Sequence, residues 1–213
     1  MDPHEISNDP TPVRLFQSDV LEFFTHITPL AVTIIWLPVA LIFLGVAITN
    51  RAAFSNPLVI LPAFLLGLIL WTFSEYMLHR FLFHFKPRNA WQERVSFLFH
   101  GVHHYQPRIK TRLVMPPAVS IPLAVLFYLL YRLIFGLIAL PHWTAAVFSG
   151  FIIGYLLYDL THYATHHWPL PFAYYKFLKR YHMNHHYKTP NARFGVTSPV
   201  WDMVFGTQAA EKA

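Results

Sequence analysis

The chain has 213 residues, 55% hydrophobic and only 12% charged, with a mean hydropathy of +0.38. A soluble globular domain carries about 25% charged residues, so half the usual solvated surface is missing and water cannot be its only solvent. The absence of cysteine excludes disulfides, thiolate zinc sites, iron–sulfur clusters and a cysteine nucleophile, leaving nitrogen or oxygen to hold any metal.

In chain order, Met1 to Phe16 is polar and proline-rich, with no apolar core of the kind a cleaved signal peptide needs. Four apolar stretches follow, at 29–49, 57–74, 116–140 and 143–160. Each approaches or exceeds the roughly 20 residues that cross a bilayer. Pro38, Pro62 and Pro122 fit this reading, because membrane helices tolerate interior proline better than soluble ones. The connections are unequal: short links at 50–56 and around Pro141 and His142 make two hairpins, whereas 75–115 and 161–213 are long. Four crossings place both long segments and the N-terminus on one side. Fourteen of the 16 Lys and Arg lie there, all but Arg51 and Arg132, so the positive-inside rule makes that side cytoplasmic. The formal charge of +6 is thereby explained by topology, without nucleic acid. The expected architecture is all-α: a single domain over 1–213, with four transmembrane helices and a cytosolic histidine-rich helical cap built from 75–115 and 161–213.

Eleven of the 14 histidines fall in the long segments, in four clusters: HRFLFH (His79, His84), HGVHH (His100, His103, His104), HYATHH (His162, His166, His167) and HMNHH (His182, His185, His186). The helices of spans two and four can run past the membrane face carrying the first and third clusters. Histidines three or four apart share a helix face and can chelate one ion. The adjacent pairs His103/His104 and His185/His186 diverge by about 100°, and His79 and His84, five apart, by about 140°. All three pairs therefore suit two ions better than one. A tetrahedral ion takes about four ligands, so ten or eleven imidazoles indicate a dinuclear site. His4, His26 and His142 fall outside the pattern and take no role. Ligating histidines hand their other ring N–H to a carboxylate or carbonyl, which makes Glu75, Asp159 and Asp202 candidate outer partners, with His167 as a further one.

The clusters and their placement after spans two and four resemble those of the fatty acid hydroxylase superfamily of membrane di-iron enzymes, nearest to its fatty acid and sphingolipid 2-hydroxylases. The stretches EYMLHRFLFH, HGVHHYQP, TRLVMPP, YDLTHYATHH, LKRYHMNHH and FGVTSPVWDMVFGT carry the resemblance through most of Glu75 to Thr207. It implies ten metal ligands: His79, His84, His100, His103, His104, His162, His166, His182, His185 and His186. One departure is Ile109, where the family commonly has an acidic residue two positions after the proline equivalent to Pro107. Many eukaryotic members carry an N-terminal cytochrome b5 domain, for which Met1 to Phe24 is too short. An external donor such as a cytochrome b5 or ferredoxin-type protein is expected instead.

The implied reaction inserts one oxygen atom from dioxygen at carbon 2 of a fatty acyl chain, free or within a ceramide. Zinc has no redox chemistry, so two iron ions are the working pair, although zinc, with its higher intrinsic affinity, can occupy the sites in purified protein. Trp71, Phe73, Tyr76, Phe81 and Phe83 are candidate walls of the lipid site. Rival readings are a sterol or carotenoid oxidase or desaturase of the same superfamily and, from another class, a metal transporter or sensor. Transport normally places ionisable ligands within the spans, where no histidine cluster lies. The chain's brevity favours a bacterial inner membrane over the endoplasmic reticulum.

Overall fold

The structure, a computed structural model, describes residues 6–50 and 57–209. The first hairpin, His4, Arg51 and Lys212 lie outside the described residues. All described regular elements are helical: α1 (Asp19–Phe23), α2 (Pro29–Thr49), α3 (Ile60–Met77), α4 (Ala90–Ser96), α5 (Val102–Tyr105), α6 (Pro117–Leu137), α7 (Trp143–His167), α8 (Ala173–Tyr187) and α9 (Val200–Val204). Four continuous segments are long and apolar enough to cross a membrane: Pro29–Thr49, Ile60–Phe83, Lys110–Leu137 and Trp143–His167.

The first span opens where Thr28 caps the Ala31 amide and Pro29 occupies the first helical position, which needs no N–H partner. The third ends earlier than the expected residue 140. Ala139 adopts φ 59°, and the Leu140 N–H reaches back to the Phe135 carbonyl at 2.7 Å, a left-handed closing turn that hydropathy does not register. The second and fourth helices instead run on past the apolar stretches, to Phe83 and His167. Their extensions carry histidines out of the bundle.

α7 is the most buried span and packs against α2 and α3. Lipid is as apolar as leucine, so close backbone approach matters more here than hydrophobicity. A Cβ on Gly67 would stand 2.0 Å from the Val147 carbonyl oxygen, and one on Gly150 2.0 Å from that of Phe64. Only glycine fits either crossing point. Polar links add to it: Ser149 Oγ donates to the Ala40 carbonyl at 2.8 Å and Trp36 Nε1 to Ser120 Oγ at 3.2 Å. Trp71, Phe151, Tyr155 and Tyr158 fill the core where α3 meets α7. Leu41, Ile42, Leu61, Leu65, Leu126, Leu129 and Leu133 remain exposed on the outer faces of the spans, the surface a bilayer covers. The segments between α3 and α6, and after α7, form a helical cap at one end of the bundle.

Candidate metal centre

Ten histidines converge in the cap. Their ligand atoms form two groups, His79, His84, His100, His104 and His185 in one, and His103, His162, His166, His182 and His186 in the other, with all atoms of a group within 4.8 Å of one another. Helical spacing explains most of the division. His100 with His104, His162 with His166, and His182 with His186 are each four apart on one face, whereas the neighbours His103/His104 and His185/His186 are sent to opposite groups.

His79 and His84 depart from expectation, because both serve the first group. α3 widens into a π turn over Leu78–Phe83, in which the His84 N–H bonds to the His79 carbonyl five residues back at 3.1 Å. Residues five apart then stack on one face, and the divergence of about 140° calculated for an α-helix disappears. A second π turn, Phe97–Gly101, carries His100.

The donor set fits bound cations. In the first group Nε2 atoms face each other at 3.1 Å (His79–His100, His100–His104, His84–His185) and 3.2 Å (His104–His185). In the second, His103–His186, His103–His162, His166–His182 and His182–His186 are all 3.0 Å apart. His79 Nδ1–H donates to the Phe194 carbonyl at 2.5 Å and His185 Nδ1–H to that of Ala192 at 2.7 Å, so the Nε2 of each is a bare lone pair. Lone pairs converging in a buried cage cannot all be satisfied by one another's protons. Each group offers five imidazole nitrogens, enough to hold one ion apiece. Burial pushes His84, His100, His103, His104, His182, His185 and His186 below the usual imidazole range, with neighbouring imidazoles adding to it. Neutral rings are the form that binds metal.

The three candidate carboxylates act one step further out than expected. Asp202 accepts from the Phe194 N–H at 2.9 Å, the Gly195 N–H at 2.7 Å and Thr207 Oγ1 at 2.7 Å. Glu75 accepts from the Val196 and Thr197 amides at 2.6 and 2.9 Å. Asp159 accepts from the Met115 N–H at 3.2 Å, two residues after Leu113, whose backbone bonds His162. Each anchors backbone, and the backbone carbonyls then orient the rings. Between Ala192 and Phe194, Arg193 adopts φ 63°, a left-handed conformation costing a non-glycine residue about 1–3 kcal/mol. This turn lets the flanking carbonyls meet two imidazoles, a feature with no sequence signature.

His167 is in neither group; its ring packs on Tyr163 at 5.1 Å, and its buried Nε2 has no hydrogen-bond partner. His26, given no role from sequence, bonds Thr111 Oγ1 and Arg112. Of the expected lipid walls, only Phe83 lines the apolar cavity of about 310 Å³ that ends on His100, His103 and His162. Trp71 is in the bundle core, Tyr76 stacks on Phe205, Phe73 meets Trp201, and Phe81 is exposed. The walls missed from sequence include Leu15, Phe16, Leu21 and Phe24; the available signal was a cluster of apolar residues in the polar segment before the first span.

A bundle of four membrane-spanning helices capped by two all-imidazole cages defines a multi-pass membrane protein with a histidine-rich candidate dinuclear metal centre. Residues 64–207 match the fatty acid hydroxylase family, and the chain belongs to it. It is 39% identical over 200 residues to a dihydroceramide fatty acyl 2-hydroxylase of Arabidopsis thaliana, covering 94% of this chain and 81% of that one. Identity to a ceramide very long chain fatty acid hydroxylase of Saccharomyces cerevisiae is 44% over 190 residues, 88% of this chain and 47% of the relative. Among solved structures, full-length scs7p with only its hydroxylase domain visible superposes with a TM-score of 0.82 at 42% identity, over 92% of this chain and 72% of that one. These relatives are eukaryotic and lend no support to a bacterial inner membrane.

Proposed function

We propose that the protein is a 2-hydroxylase of fatty acyl chains, free or within a ceramide, acting as a single domain over 1–213 with its cap in the cytoplasm. The observation that carries this reading is the apolar cavity reaching His100 of one group and His103 and His162 of the other. An acyl chain held there brings a carbon near its headgroup to the histidines while the tail stays against apolar walls. Insertion deep in the chain would instead require the tail to be threaded inward.

The ten histidines named above would hold two metal ions, which we assign as iron because the oxidation is redox chemistry that zinc cannot perform. When bound, the ions supply the site at which dioxygen is reduced. In balance, one dioxygen, two electrons and two protons convert a C2–H bond into C2–OH and release one water. The electrons come from an external protein donor of the cytochrome b5 or ferredoxin type. The chain's own tasks are to orient the acyl group, to keep the imidazoles neutral and to exclude bulk water. Phe83 and Tyr158 line the cavity beside the histidines, and the ring of Phe83 stacks on that of His100.

The test is product analysis under isotopically labelled dioxygen with a reductase supplied. One labelled oxygen at carbon 2 is expected. A new double bond, a hydroxylated sterol or carotenoid, or label arriving from water would refute the reading.

A further inference from the structure

Residues 7–27, which precede the first span, take no part in holding metal, yet long-range bonds fasten them to the cap. The Ser7 N–H donates to the Tyr105 carbonyl at 2.8 Å, the Val13 N–H to Gln106 Oε1 at 2.8 Å and the Ile27 N–H to the Thr111 carbonyl at 2.9 Å. Gln106 Nε2 returns a bond to the Thr11 carbonyl at 2.9 Å. At the centre is Glu22, whose carboxylate accepts from the Leu15 and Phe16 amides at 2.9 Å each and from Arg112 Nη2 at 2.5 Å. Arg112 Nη1 donates to the Val13 carbonyl at 2.6 Å. The two charged side chains are only 3% and 15% exposed, so separating them would strand a buried charge. The segment they grip, 105–112, directly follows His103 and His104.

This latch places Leu15, Phe16, Leu21 and Phe24 in the wall of the cavity that ends on His100, His103 and His162. α1 also leaves Val20, Leu21, Phe23 and Phe24 between 51% and 73% exposed, immediately before the first span. Apolar side chains in that position lie in the membrane interface. Ala118, in the first turn of α6, is exposed and lines the same cavity. The side of the cavity that faces the bilayer is therefore built from α1 and the start of α6.

Resting on the hydroxylase reading, we propose that the strap of residues 7–27 is the specificity wall of the site, in which Phe16, Leu21 and Phe24 select the acyl chains that reach the histidines. Such a wall acts through volume: one methylene more or fewer in an apolar pocket changes discrimination by about tenfold or more.

Two measurements on the full chain in membranes test this. The first presents a mixture of long- and very-long-chain acids and reads the ratio of hydroxylated products. Leu21→Trp, which fills the cavity, should lower the very-long to long ratio by about tenfold, and Phe16→Ala should raise it. Leu137→Ala, exposed at the far end of α6 and outside both the strap and the lining, should leave it unchanged. The second uses the unmodified protein and a long-chain fatty acid carrying a mid-chain diazirine; light should attach it to the peptide spanning residues 15–24. Unchanged ratios in both lining variants, or labelling confined to other segments, overturn the wall while leaving hydroxylation standing. Strap labelling by a protein that makes no 2-hydroxy product upholds the wall and removes the hydroxylase reading instead.

Discussion

At the residue scale, the cap contains ten converging imidazoles, and the rings are not equivalent in how they are supported. His166 belongs to the second group, with its Nε2 3.0 Å from that of His182. His167, the next residue, turns about 100° away and packs against Tyr163. His166→Ala should therefore release metal and abolish activity, because the cage is left under-coordinated. His167→Ala should keep both ions and lower activity by at most about tenfold, the mild end of what outer positions cost. Metal content by elemental analysis separates the two; an emptied site in His167→Ala beside a full one in His166→Ala would reverse the assignment. The sequence offered three candidates in HYATHH; helical spacing pairs His162 with His166, four residues on, and leaves His167, five residues on, about 140° away, which is why it was read as an outer partner.

Among elements, the short pieces aim the rings. The π turn at Leu78–Phe83 brings His79 and His84 to one ion site, and the loop through Arg193 turns two carbonyls onto His79 and His185. Asp202 holds that loop through two backbone amides. Asp202→Asn would set an amide N–H against one of those donors, leaving a buried group unpaired at about 1–3 kcal/mol. The loop should then lose its grip on His79, with metal affinity of the first group falling about 10–100-fold and that of the second retained. Chelator titration should show one equivalent released at lower chelator concentration than in the unaltered protein; simultaneous release of both, as tight as before, would contradict this role. The π turn escaped the sequence reading because every angular argument assumed a period of 3.6, and one extra residue per turn is invisible in composition. The carboxylates were legible as important, since so few acids lie near the histidines, but their distance from the rings was not.

On the scale of the whole molecule, the bundle delivers two helix ends and two long segments to one face, and the site exists only because four distant stretches meet there. The proposed topology predicts that a cysteine introduced at Asn89 is labelled from the cytoplasmic side and one at Ala139, in the opposite hairpin, from the other. Labelling of both from the same side would refute four crossings. Hydropathy and loop lengths alone determined the four spans and the shared side of the histidines, because lipid leaves a chain few ways to satisfy its backbone. The three- and four-residue spacings likewise determined that the site is rich in imidazole, since helix periodicity is a local property. Only the tertiary structure decided which five histidines stand together, which carbonyls orient them, and that residues 7–27 wall the cavity. Those arrangements depend on contacts between segments far apart in the chain, such as Glu75 with Val196, 121 residues on, and on strained or widened turns whose cost is offset by packing that no local pattern encodes.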